Sequence, residues 1–364
     1  MGQPLTPLGV GIIGCGNIIA QYLDTFARLD SVRLVAVADI VPERAQEVAG
    51  RVPGVRALSI DDLLADPEIR LVVNLTIPAA HAEVALRVIA AGKEVYTEKP
   101  LTSDAASAAA VLEAASAAGS WVGCAPDTVL GTGLQTARKA VDDGLIGRPV
   151  SATATMLTAG HERWHPNPDF YYLPGGGPLL DMGPYYVAAL IQLLGPVRSV
   201  IGASSRTRDE RVIGSGAREG ERIPVEVATH ITGVLTHESG ALSTLVMSFD
   251  ATATRASNIE VHGENGSLIV PDPNRFDGDV QLNVLGGDGW TTLEPSAGYI
   301  DAGRGVGIHD RAISGSAAEA RASGAIGFHS LEIMLSVLRA ADEGTSIAIE
   351  STCERPAPVP LSAL

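Results

Sequence analysis

Leu8-Gly-Val-Gly-Ile-Ile-Gly14-Cys-Gly16-Asn17-Ile18-Ile19-Ala20 decides how the first third of this 364-residue chain folds. An apolar, β-rich run ends in glycines, and a helical pattern follows with apolar residues at Ile18, Ile19, Tyr22, Leu23 and Phe26. One glycine permits the sharp turn, and the next lets backbone N–H groups approach a pyrophosphate at the positive end of the helix. Gly14, Gly16, Asn17 and Ile18 are therefore expected to line a dinucleotide. The third glycine position is filled by Ile19, with Ala20 one residue late. A tight strand–helix turn without a ligand is the plainer alternative.

The next strand, Val32–Ala38, ends in Asp39, 23 residues past Gly16. A carboxylate there can accept both ribose hydroxyls of an adenosine and repels a 2′-phosphate. No basic residue follows until Arg44, so NAD is expected rather than NADP. Leu71–Leu75 reads as a third strand, closed by Asn74-Leu-Thr76-Ile-Pro78-Ala-Ala-His81. Polar groups at a strand's carboxyl end lie where such sheets bind ligands, so Asn74, Thr76, Pro78 and His81 join the cofactor candidates. Pro78 as a simple strand stop and His81 as a packed helix residue are the competing readings. Further strands at Glu94–Thr97 and Trp121–Cys124 alternate with helices at Ala79–Ala91 and Ser103–Ala118. Strict alternation argues for a parallel, doubly wound sheet with helices on both faces.

After about Pro126 the rhythm changes. A helix at Gly131–Asp142, a strand at Val150–Leu157 and an apolar helix at Leu180–Leu194 precede several strand-like runs. These are Ser199–Ser205, Val225–Thr236, Ala241–Phe249, Ile259–His262 and Gly266–Val270, with Phe328–Asp342 as a closing helix. The expected division is a Rossmann domain over 1–126, then an α+β domain over 127–364 with a large, mostly antiparallel open sheet. Residues 288–325, rich in Gly, Ser and Ala, give no clear secondary structure.

The formal charge is −16, which disfavours nucleic acid and anionic membrane surfaces as partners. Apolar residues make up 46%, enough for a sizeable core, and no apolar run is long enough to cross a bilayer. The first residues carry no Lys or Arg, so no signal peptide is expected. Gly2 fits a myristoylation pattern without a second anchor. Three widely separated cysteines point to reduced thiols and a cytoplasmic setting. The eight histidines lack ligand spacing, so no metal is expected.

Glu98-Lys99-Pro100 follows the fourth strand, Gly144-Leu-Ile-Gly147 precedes the second half, and Gly175-Gly-Gly-Pro-Leu-Leu-Asp181-Met-Gly183 comes later. With the amino-terminal glycines and the Thr76/Pro78/His81 segment, the chain resembles the Gfo/Idh/MocA family along essentially its whole length. The resemblance implies that Glu98 and Lys99 border the nicotinamide and that Lys99 is catalytic, with the bond to Pro100 open to the cis form. It also implies that Asp181 acts from the start of the second-domain helix. Tyr185 stands where inositol-dehydrogenase-like members hold a histidine, and where glucose–fructose oxidoreductase is similar in having tyrosine. Asp181 and Tyr185, four apart, share a helix face. A neighbouring ammonium favours phenolate, so Lys99 and Tyr185 form a workable acid–base pair.

Trp164-His165-Pro-Asn167-Pro-Asp-Phe-Tyr-Tyr172 is strongly aromatic in a chain with only 4% Phe, Trp and Tyr. Aromatic faces suit a pyranose ring, so Trp164, His165 and Asn167 are expected in the substrate pocket, with His165 an alternative base. A packed loop or subunit contact is the competing reading. The activity expected is NAD-dependent interconversion of a hydroxyl and a carbonyl on a sugar, polyol or glycoside. Redox-neutral, glycosidase-like use of NAD and a non-catalytic sensor of the same fold are the alternatives. The open sheet predicts a homodimer or homotetramer.

Overall fold

The computed structural model describes residues 6–364; the Gly2 myristoylation pattern begins outside the described residues. Strands β1 (Leu8–Ile13), β2 (Val32–Ala38), β3 (Arg56–Ala57), β4 (Leu71–Asn74), β5 (Glu94–Thr97) and β6 (Val122–Cys124) alternate with helices. Those helices are α1 (Ile19–Phe26), α2 (Pro42–Arg51), α3 (Ile60–Ala65), α4 (Pro78–Ala90) and α5 (Ala105–Ala118). The sheet order is β3-β2-β1-β4-β5-β6, with every pairing parallel. Every residue of β1, β4 and β6 is buried, as a sheet covered on both faces requires. The order reverses direction between β1 and β4, and ligands of such sheets sit at the carboxyl ends beside that switch. Gly14, Asp39, Asn74 and Glu98 all follow or close strands at that edge.

The later elements are α6 (Thr132–Asp142), β7 (Pro149–Leu157), α7 (Pro178–Leu194), β8 (Val197–Ser205), β9 (Glu210–Val212) and β10 (Arg222–Pro224). Then come β11 (His230–His237), β12 (Leu242–Ser248), β13 (Ile259–Gly263), β14 (Gly266–Val270), β15 (Val280–Val284) and β16 (Thr291–Leu293). The chain closes with β17 (Tyr299–Ile300), α8 (Val306–Ile313), α9 (Gly324–Glu343), β18 (Ile347–Ala348) and β19 (Ser362–Ala363). A nine-stranded sheet runs β16-β15-β14-β13-β7-β12-β11-β8-β18, antiparallel except for the β7–β12 pair. Helix α7 packs on β7, β11 and β12, and its residues from Gly183 to Leu194 are all buried.

The strand expected over Val225–Thr236 begins only at His230. Before it, loop contacts engage the backbone: Val225 N–H donates to Asp209 O and Glu226 N–H to Tyr172 O. The chain divides into one compact unit of residues 1–131, 299–331 and 361–364, and another of 132–298 and 332–360. Thus the sequence boundary at 126 falls just before the observed one, but Tyr299–Leu331 returns to the first unit. Buried Asp127 explains this return, because its Oδ2 accepts the N–H groups of Gly305 (2.8 Å) and Gly307 (3.0 Å) and so caps α8. Cys124 N–H donates to Ala322 O as well. Residues 288–325, unassigned from sequence, thereby hold β16, β17 and α8.

Candidate functional site

In the first unit the β1–α1 turn is built on two glycines with different duties. Gly14 adopts φ +102°, and a Cβ there would lie 2.6–2.8 Å from the backbone of Leu75 and Thr76. Nothing larger fits where the β1 and β4 ends meet. A Cβ on Gly16 would meet no atom within 4 Å, so the space above that residue is open. Gly16 and Asn17 are exposed, and Ile18, the N-cap residue of α1, is half-buried and makes no side-chain capping bond. Of the first N–H groups of α1, Ile19 donates to Gly16 O (3.2 Å) and Gln21 to Ile18 O (3.1 Å). Ile19, in place of a third glycine, is buried beneath the turn.

Asp39 stands at the end of β2 with both carboxylate oxygens fixed: Cys15 N–H donates to Oδ2 (2.7 Å) and Val41 N–H to Oδ1 (2.8 Å). Each oxygen keeps further acceptor capacity for a hydroxyl. Asp39, Pro42, Ala45, Ala57 and Leu58 line one cavity beside this carboxylate. Burial, followed by the Asp39 charge, pushes the Cys15 thiol up to about 12, so it remains protonated and inert. All three cysteines are free and buried.

A second cluster fixes the Glu98-Lys99-Pro100 segment. Tyr22 donates to Glu98 Oε1 (2.8 Å), while Glu98 Oε2 accepts the N–H of Lys99 (2.8 Å). The Lys99–Pro100 bond is cis. His81, 1% exposed, has Nδ1 2.7 Å from Pro100 O and Nε2 3.1 Å from Thr76 O. It ties the β4–α4 turn to the lysine segment, and burial pulls its basicity down despite those two carbonyls. Asn74 completes the turn: its amide donates to His81 O (3.0 Å), and its Oδ1 accepts the Thr76 hydroxyl (2.7 Å). Asn74 and His81 are therefore internal struts of the loop, whereas Thr76 is half-buried and Pro78 exposed. Lys99 itself is half-buried.

In the second unit Asp181 lies in the first turn of α7, half-buried, and Tyr185 follows one turn on, 5% exposed. His161, which the sequence reading did not single out, sits in a short 3₁₀ turn after β7 with Nε2 3.1 Å from Asp181 Oδ2. Its only sequence signal was its place between a strand and the aromatic stretch that begins at Trp164. Trp164 is 59% exposed, His165 half-buried and Asn167 exposed. The His165 ring meets Trp164, Phe170 and Tyr171 edge-on at 5.4–5.6 Å, and its Nδ1 accepts the Asn167 N–H (3.1 Å). Behind this loop lies an ion cluster. Arg211, 2% exposed, donates to Glu162 Oε1 (3.1 Å) and to Asp250, while Tyr172 donates to Glu162. Asp250 Oδ2 also accepts the Thr229 hydroxyl (2.6 Å). Among the described residues no group of three or more His, Cys, Asp or Glu is arranged to hold a metal, and no helix is long and apolar enough to cross a membrane.

The two glycines make separable predictions. Gly14→Ala is expected to lower the thermal midpoint, because strain of about 1–3 kcal/mol has no side-chain movement to relieve it. Gly16→Val is expected to leave that midpoint near wild type while weakening NADH binding at least tenfold in a fluorescence titration. Equal affinity in Gly16→Val would show that the open space is not the cofactor's.

Comparison with known proteins agrees with this geometry. Residues 8–125 match the oxidoreductase family with an NAD-binding Rossmann fold, and residues 134–269 match the GFO/IDH/MocA C-terminal domain. An inositol 2-dehydrogenase of Rhizobium meliloti (strain 1021) is 28% identical over 281 residues, 77% of this chain and 79% of that protein. A 1,5-anhydro-D-fructose reductase of Ensifer adhaerens is 27% identical over 350 residues, 94% of this chain and 98% of that protein. The crystal structure of an NAD-binding oxidoreductase from Klebsiella pneumoniae shares the fold, with TM-score 0.82, 23% identity and coverage of 94% and 99%. The Asp39 and Gly16 cradle meets the needs of the dinucleotide named in that description, and the chain belongs to the Gfo/Idh/MocA family of NAD-binding oxidoreductases.

Proposed function

We propose that the protein interconverts a hydroxyl and a carbonyl on a sugar, polyol or glycoside, using NAD. The observation that carries this reading is the cradle at the β1 and β2 ends: an open space over Gly16 beside a fixed Asp39 carboxylate. When bound, NAD supplies a two-electron acceptor at its nicotinamide. The chain's own groups do the rest. The α1 N–H groups and Gly16 hold the pyrophosphate, and Asp39 accepts the ribose hydroxyls and repels a 2′-phosphate, favouring NAD over NADP.

Lys99, on a segment fixed by Tyr22, Glu98 and His81, assists removal of the substrate's hydroxyl proton. Tyr185 or His165 takes that proton, and Asp181 orients or polarises the reacting group. Trp164, His165 and Asn167 offer an aromatic face and hydrogen bonds to a sugar ring. The relatives named above, acting on inositol and on an anhydro-sugar, support the polyol and sugar class. The test is NADH formation from NAD with inositols, anhydro-sugars and aldoses. A sensor would bind NAD and turn over none of them.

The subunits pair through the nine-stranded sheet as a dimer or tetramer. Supporting this, the face opposite α7 presents apolar and threonine rows. Ile201, Val234, Thr244 and Thr153 lie side by side, and Leu242 is 48% exposed at its edge. Light scattering is expected to give at least a dimer mass, and a monomer mass at working concentration would contradict it. The buried free thiols and the acidic charge support a cytoplasmic setting, with neither nucleic acid nor membrane as partner.

A further inference from the structure

His161 and Asp181 form a pair whose direction can be worked out from the atoms around it. The side chains are 12% and 18% exposed, with Nε2 and Oδ2 3.1 Å apart. Rings wall the imidazole: Phe249 at 4.5 Å, Tyr171 at 4.7 Å and Trp164 at 5.3 Å between centroids. Nδ1 is buried and, among the described residues, has no hydrogen-bond partner. If the proton sat on Nδ1, a buried N–H would be left unmet, at a cost of about 1–3 kcal/mol. The Nε2 lone pair would then also face a carboxylate oxygen. Placing the proton on Nε2 removes both penalties, so Nε2–H donates to Asp181 and Nδ1 carries the lone pair.

We propose that His161 is the positioning residue for Asp181: its Nε2–H holds the carboxylate in one orientation toward the substrate. The assignment rests on the reading of Asp181 as a group that acts on the substrate. The neighbouring residue explains why the turn can hold an imidazole to this tolerance. Glu162 is clamped by Arg211 and Tyr172, so the backbone carrying His161 is anchored from behind. The ring packing restricts the imidazole on its own side. A fixed donor on Oδ2 restricts the carboxylate's rotamers.

The test compares His161→Phe, which keeps a ring and loses the donor, with His161→Gln, whose amide can donate from the same side. In the full chain with NAD, His161→Phe is expected to lower kcat by about 10- to 100-fold, the scale of a misplaced reacting group. KM for the sugar and the NADH Kd are expected to stay near wild type. His161→Gln is expected to recover most of the loss. Nitrogen NMR of the full-length protein reads the tautomer independently of turnover, with the proton expected on Nε2 and not on Nδ1. A proton on Nδ1, unchanged kcat in His161→Phe, or equal losses in both variants would overturn the assignment. If the wild-type protein turns over no sugar, the proposed function fails, while the tautomer spectrum still decides the His161–Asp181 bond.

Discussion

Lys99→Met is expected to lower kcat by about 10²- to 10⁴-fold, the range that a positioned acid–base group contributes. Methionine keeps most of the side-chain length and removes the ammonium. The segment also has supports that do not involve the ammonium: Glu98, held by Tyr22, accepts the Lys99 backbone N–H, and His81 reaches the Pro100 carbonyl. NADH affinity and the thermal midpoint are therefore expected to change little. Steady-state kinetics with a sugar substrate, beside an NADH fluorescence titration, separates the two effects. A variant that retains wild-type kcat would remove Lys99 from the chemistry, and one that loses only NADH affinity would make it a cofactor contact.

The largest effect on stability is expected from Arg211→Met. Arg211 is the cation between Glu162 and Asp250, and its guanidinium also lies 5.3 Å from the Tyr172 ring. Removing one partner from a buried ion cluster leaves uncompensated charge and costs about 3–5 kcal/mol. In the variant, Glu162 and Asp250 lose the cation that lies between them. Urea denaturation is expected to read this deficit as a clearly lower midpoint in Arg211→Met than in wild type. A midpoint equal to wild type would show that the cluster does not hold the fold together.

The amino-terminal unit was legible because its signals are local. A β-rich run, two glycines, a 3.6-residue pattern and a carboxylate at the next strand's end lie within 32 residues, Leu8 to Asp39. Even the departure at Ile19 was readable, and the structure shows why it is tolerated: that side chain turns inward beneath the turn. Helix α8 was not legible, because its cap comes from Asp127, 178 residues before Gly305. No window of sequence around Gly305 contains that carboxylate. The Arg211 cluster is hidden for the same reason, since its acids stand 49 and 39 residues away.

In the candidate site, the resemblance pointed to Lys99, Asp181 and Tyr185, and strand-end logic pointed to Asn74 and His81. The latter two prove to be buried struts of their loop. His161 was missed because its partner lies 20 residues on, across a Gly/Pro-rich loop that no periodicity bridges. The single parallel pairing, β7 with β12, was equally out of reach, because alternation along a strand reports its faces and not its neighbour's direction.

Transfer of label tests the central claim most directly. A substrate from the sugar panel carrying deuterium on its carbinol carbon is incubated with NAD and the protein, and the recovered cofactor is examined by mass spectrometry. Reduced cofactor one mass unit heavier, formed in step with the carbonyl product, is the predicted result. Reduced cofactor without deuterium, or product formed with no net change in the cofactor, would contradict direct hydride transfer from the substrate to NAD.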